Sequence, residues 1–201
     1  MTLRQLLIGA RYFNALAALE FAAKHHTGTR KDGVTPEFDH QVSIALYAMT
    51  LPDLMHREEV IATILLHDIR EDCGITDHEI RYLFNDSHFA HRVSTAVWNM
   101  TKVWRDEKRD EAALFEQMAL DPIASIAKGC DRMHNLQTMV GVFTFEKQKT
   151  YIVEVRVLFL PMLKAARRNF PQQVLAYENI KHVLLSQIEL IEAMHVAVET
   201  R

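Results

Sequence analysis

The chain has 201 residues, 49% of them apolar and 24% charged, with a formal charge of -3. That balance suits one soluble globular domain with a substantial core and excludes a disordered chain. No long basic run points to a nucleic-acid partner, and no stretch approaches the roughly 20 uncharged apolar residues that span a bilayer.

Cys73 and Cys130 are the two cysteines. They form no CxxC and are too few for a disulfide framework, which suits a reducing, cytoplasmic setting. The start, "MTLRQLLIGARYF", lacks the long apolar region and small-residue cleavage site of a signal peptide. Six glycines and five prolines, with abundant Ala, Leu, Met and Glu, favour helix. No segment alternates β-branched residues between turn signals, so little or no sheet is expected. The expectation is an all-α fold: one compact bundle of eight or nine helices forming a single domain over 1–201.

In chain order, Thr2 with Gln5 is a capping-box pattern that opens a helix over 2–26. "TGTRKDGVT" is a polar loop with two glycines. Thr35-Pro36 starts a helix that ends at Thr50, before "LPD". A helix over 56–69 follows. Thr76 with Glu79 caps a short helix to about residue 85, and 87–100 forms another. After a polar turn, "DEKRDEAALFEQMAL" carries the next, and Asp121-Pro122 caps one reaching 140. The helix over 144–169 is expected to kink at Pro161. Pro171 opens the last helix, whose amphipathic run should pack on the bundle or against a second copy of the chain, as a homodimer.

Chemistry concentrates in three stretches. "LLHDIRED" ends an apolar helix in five ionisable groups: His67, Asp68, Arg70, Glu71 and Asp72. His67 and Asp68 offer the mixed nitrogen and oxygen donors that suit Mn²⁺, Fe²⁺ or Zn²⁺. A helix end with a solvated Asp and a hydrogen-bonded His would give the same pair. Glu71 and Asp72 follow at i+4, so a continuing helix stacks carboxylates beside the ligands. "KGCDRMHNLQTM" sets Asp131, Asn135 and Thr138 as a polar stripe on an apolar helix. His40 is a further donor, and Arg30 with Lys31 on the glycine-bearing loop could grip phosphate. Cys73 and Cys130 read as small core residues and Arg70 and Lys102 as structural. His25 and His26 suit a helix C-terminus, and His134 reads as a satisfied histidine near Asp131.

Taken in order, "FAAKHHTGTRKDG", His40, "LLHDIRED" and "KGCDRMHNLQT" resemble the HD superfamily of metal-dependent phosphohydrolases. The resemblance is nearest to the hydrolase domain of the Rel/Spo alarmone enzymes and their small stand-alone relatives. It covers about the first 140 residues. It implies that His40, His67, Asp68 and Asp131 hold one Mn²⁺, with Fe²⁺ or Zn²⁺ compatible with the same donors. It implies that Glu71 and Asp72 position and activate a water. It further implies that Arg30, Lys31, Asn135 and Thr138 contact a nucleotide, with (p)ppGpp losing its 3′-pyrophosphate. Departures occur in the first stretch: Arg30 and His40 stand one residue further apart than in the family, and "EFDHQ" breaks the usual pattern. Cys73 replaces the family's threonine. A different nucleotide (NADPH through its 2′-phosphate, a dNTP or a nucleoside monophosphate) and a non-catalytic nucleotide-binding module are the rival readings. In full-length Rel/Spo proteins a synthetase domain follows; this chain ends too soon for one, so synthesis is not expected.

Overall fold

The computed structural model describes residues 2–199. Its centre is α4 (Arg57–Leu66), in which every residue from Glu59 to Leu66 is buried. "VIATILL" is apolar all round, so this helix must be enclosed and not laid on a surface. α2 (Phe13–His25), α3 (Phe38–Thr50), α7 (Ser87–Met100) and α9 (Ala124–Met139) enclose it. α9 is the second inner helix, covered on its far side by α12 (Val174–Glu199). The outer set comprises α1 (Leu3–Ala10), α5 (Ile69–Cys73), α6 (Asp77–Tyr82), α8 (Glu111–Ala119), α10 (Phe145–Glu154) and α11 (Leu160–Asn169).

Among the described residues, twelve α-helical segments stand where the sequence suggests eight or nine, because three expected helices are divided. The expected helix over 2–26 breaks at Arg11, which adopts left-handed φ 61°, while Tyr12 N–H returns to the Leu7 carbonyl. α2 then restarts under a remote cap: Glu58 Oε1 of α4 accepts the N–H groups of Asn14 and Ala15 at 2.8 and 3.2 Å. A carboxylate there satisfies two orphan donors and meets the positive end of the helix. The helix over 56–69 breaks at His67–Asp68. The His67 ring takes the Ile64 carbonyl at 2.8 Å, the acceptor that the next helical N–H would have used. In the helix over 144–169, a π-helical turn at Val155–Phe159 precedes Pro161. Leu160 N–H reaches the Val155 carbonyl there, a wider loop than the α pattern, beside a proline that cannot donate.

The polar turn before α8 holds the only strands among the described residues. β1 (Val103–Trp104) and β2 (Glu107–Lys108) pair antiparallel across Arg105 and Asp106, both at positive φ. Such a two-residue turn matches the twist of a hairpin, here without the glycine that usually signals it.

α9 and α12 approach closely at Gly129. A Cβ there would lie 2.9 Å from Ile180 Cγ2 and 3.3 Å from Leu163 Cδ2. Gly129→Val should therefore lower stability by about 1–3 kcal/mol through overpacking. Gly9→Ala, in a helix with open space around residue 9, should raise it by about 0.5–1 kcal/mol. Denaturant melts of the two variants check both signs.

Candidate metal centre

The break in α4 turns His67 out of the helix while keeping it buried. With Nδ1 bonded to the Ile64 carbonyl, Nε2 faces His40 on α3 and Asp131 on α9. The donor atoms of His40, His67 and Asp131 all lie within 4.8 Å of one another, and all three residues are buried. His40 Nε2 is 3.1 Å from Asp131 Oδ1, and His67 Nε2 is 3.7 Å from the same oxygen. Asp68 joins through His67, its Oδ2 2.9 Å from Nε2. Behind His40, His134 faces its Nδ1 at 2.8 Å, so both ring positions of His40 are oriented.

The charges are arranged to keep Asp131 ionised. Burial works against its charge, yet Lys128, His40 and His67 hold it well below the usual carboxylate range. Lys128, itself buried, donates to Asp131 Oδ2 at 3.0 Å, and Asn135 donates to Oδ1 at 2.7 Å. Burial also opposes the charge of Asp68, and His67 overcomes it. His40 is lowered by burial, against the pull of Asp131. For His67, burial disfavours the cation, but Asp68 and Asp131 outweigh it and raise the ring to about 9.

These residues suit a divalent cation. The donors are two imidazoles and carboxylate oxygens, a hard and borderline set. His67 Nε2 is buried with Asp68 Oδ2 at 2.9 Å and Asp131 Oδ1 at 3.7 Å, nitrogen and carboxylate oxygens brought to one place as the ligands of a cation are.

The cluster forms the floor of a cleft of about 650 Å³. At one edge, α5 carries Glu71 and Asp72. Glu71 is turned toward the hairpin, where its Oε1 accepts the Lys102 N–H. Asp72 is pushed up to about 7 by burial of its surroundings and by Asp68, Glu37 and Glu71. At the opposite edge, Arg30 donates to Asn135 Oδ1 at 3.2 Å and Thr138 Oγ1 at 3.3 Å. Lys31 is exposed on the rim, 5.3 Å above the Phe143 ring. All ten residues singled out from sequence thus lie in or directly beneath one cleft, from five separate segments. His25 sits apart from the rest, its Nδ1 on the Phe21 carbonyl at 2.9 Å. Cys130 is buried and its thiol is driven up by burial and Asp131; Cys73 is half-buried.

Sequence reasoning gave no role to Lys128 or Arg132, and it read His134 as a satisfied histidine near Asp131, where the structure sets it against His40. Lys128 had a readable signal, a lysine one helical turn before Asp131 in "KGCD". Arg132 had none: its partners Glu154, Tyr151 and Phe159 come from the long helix beyond the cleft.

A helical bundle with histidine and aspartate donors gathered beneath a polar cleft is a helical domain whose donors could hold a divalent metal. The chain belongs to the HD domain family, whose model matches residues 18–162. Among curated relatives, it is 31% identical to the guanosine-3′,5′-bis(diphosphate) 3′-pyrophosphohydrolase of Aquifex aeolicus over 150 residues, 72% of this chain and 20% of that protein. The Vibrio cholerae protein of the same name is 27% identical over 145 residues, 68% of this chain and 19% of the relative. The GTP pyrophosphokinase rsh of Brucella melitensis is 27% identical over 153 residues, 72% and 19%. The chain therefore spans about a fifth of the length of these relatives. No helix among the described residues is long and apolar enough to cross a membrane.

Because Asp68 and Asp131 raise His67 to about 9, a cation held through its Nε2 would have to displace a proton at neutral pH. Protonation competes with metal below about pH 9, so apparent Mn²⁺ affinity should rise from pH 6 to 9 with proton release on binding. Calorimetry in buffers of different ionisation enthalpy reads both. Affinity that is flat with pH would contradict this assignment.

Proposed function

We propose that this domain hydrolyses the 3′-pyrophosphate of (p)ppGpp, with a divalent cation, Mn²⁺ for preference, held by His40, His67, Asp68 and Asp131. The observation that carries the reading is the single cleft joining the buried donor cluster to two acids at one edge and an arginine, an amide and a hydroxyl at the other. The names borne by the Aquifex and Vibrio relatives support the choice of substrate.

When bound, the cation would supply Lewis acidity at the phosphate under attack. The chain's own residues do the rest. Asp72, near pH 7 in its proton affinity, is matched to take a proton from water and return it at neutral pH. Glu71, fixed by the Lys102 N–H, orients that water alongside it. Oxygen attacks the phosphorus joined to the ribose 3′ oxygen and the P–O3′ bond breaks. The 3′ oxygen takes up a proton, leaving GDP or GTP and pyrophosphate. Arg30 and Lys31 offset the negative charge of the phosphates, while Asn135 and Thr138, already bonded to Arg30, set its reach.

Purified protein with Mn²⁺ should release pyrophosphate from ppGpp. Asp72→Asn should lower kcat by about 10²–10⁴-fold, and Arg30→Ala should act mainly on KM. Chelation with EDTA should abolish turnover, and Mn²⁺ should restore it. Phosphate release from NADPH or a dNTP, with ppGpp untouched, would move the reading to another nucleotide. Tight ppGpp binding without turnover would make the domain a sensor.

A further inference from the structure

A second group of donors lies on the other side of Asp72. His26, at the end of α2, is 4% exposed, and its side chain is fully enclosed. Neither ring nitrogen has a hydrogen-bond partner among the described residues. A buried imidazole with two unsatisfied nitrogens is rare, because each was hydrogen-bonded to water before folding. Its Nδ1 points to Glu37 Oε2 at 4.0 Å, too far for a hydrogen bond and suited to a shared third atom. Donor atoms of His26, Glu37 and Asp72 all fall within 4.8 Å of one another.

The backbone is built to hold this arrangement. Glu37 N–H donates to the Gly28 carbonyl at 3.0 Å, Arg30 N–H to the Thr35 carbonyl at 2.8 Å, and Thr29 and Pro36 form an isolated bridge. The loop is thus folded back on itself, so its first residue, His26, meets its last, Glu37. Gly28 leaves the space: a Cβ there would press on Glu37 Oε2 at 3.1 Å, the same oxygen that faces His26. On the third side Asp72 brings a second carboxylate, in a neighbourhood already crowded with Asp68 and Glu71.

We propose that His26, Glu37 and Asp72 form a second divalent-cation site beside the first. One neutral imidazole and two carboxylates match the charge of such an ion and the donor preference of Mn²⁺, Fe²⁺ or Zn²⁺. Three protein donors leave coordination positions open toward the cleft. His26 and Glu37 come from the loop that carries Arg30, so the ion ties that loop to α5. The site does not depend on which nucleotide the domain hydrolyses; an ion there would hold Asp72 ionised, so Asp72 serves as the base for water only while the second site is empty.

Metal counting tests it directly. Protein stripped of metal is dialysed against Mn²⁺, and bound metal is measured for the wild type and for Glu37→Gln, His26→Gln and His40→Gln. The wild type should bind two ions per chain. Glu37→Gln and His26→Gln should each lose one, and His40→Gln should lose the other. Anomalous scattering from crystals grown with Mn²⁺ should place the second ion between His26, Glu37 and Asp72. Glu37 is partly exposed, so its variant should fold even if the His26 variant does not. A Glu37→Gln protein that binds as many ions as the wild type overturns the proposal, as does a wild type that binds only the ion lost in His40→Gln.

Discussion

The Asp131 carboxylate is a charge kept inside the protein, and much of the fold serves to keep it there. An ion buried without compensation would cost several kcal/mol. Here Lys128 and Asn135 come from its own helix, His40 from α3 and His67 from the end of α4. Three helices must therefore meet at one point, and their small, close-packed residues allow it. Gly129 lets α12 close on the far side of α9, and α4 contributes a buried, mostly apolar body that ends at His67. Breaking one member of such a group harms more than the pair is worth, because the remaining charges stay buried.

The break between α4 and α5 follows from the same constraint. A continuous helix would turn His67 with the apolar residues before it. Instead, the imidazole caps the helix through Nδ1 and leaves Nε2 toward Asp68 and Asp131. One ring thus ends a structural element and supplies a donor to the cluster. The cleft above carries both signs of charge: Glu71 and Asp72 on α5, and Arg30 and Lys31 on the loop before α3. An anionic ligand with a reacting end and a recognised end fits that division.

Local chemistry was the legible part of the sequence. The capping boxes of Thr2 with Gln5 and Thr76 with Glu79 are present as written, and helical composition carried the fold class. The residues singled out meet in one cleft: His40 and Asp131 stand on helices, His67 and Asp68 at the break after α4, Glu71 and Asp72 on α5, and Arg30 and Lys31 on the loop before α3. What escaped was set by distant partners or by backbone alone. α2 begins under Glu58, more than forty residues away. Arg11 ends α1 in a left-handed conformation with no glycine at that position to announce it. Asp106 and Arg105 turn the hairpin without one either. His26 looked like a cation at a helix end, yet burial lowers its proton affinity and leaves it neutral; only the folded loop, with Glu37 returned to its side, reveals its surroundings.

The small hairpin has a mechanical consequence. Its base holds Glu71 through the amide of Lys102, and Arg70, the neighbour of Glu71, lies between the rings of Trp98 and Trp104 at 4.6 and 4.7 Å. Its tip carries two non-glycine residues in the left-handed region, a conformation that costs about 1–2 kcal/mol per residue. The hairpin therefore braces α5 at two neighbouring residues, Arg70 and Glu71. A change in the hairpin's conformation would reach Glu71 directly, whereas Asp131 is held by Lys128 and Asn135 of its own helix.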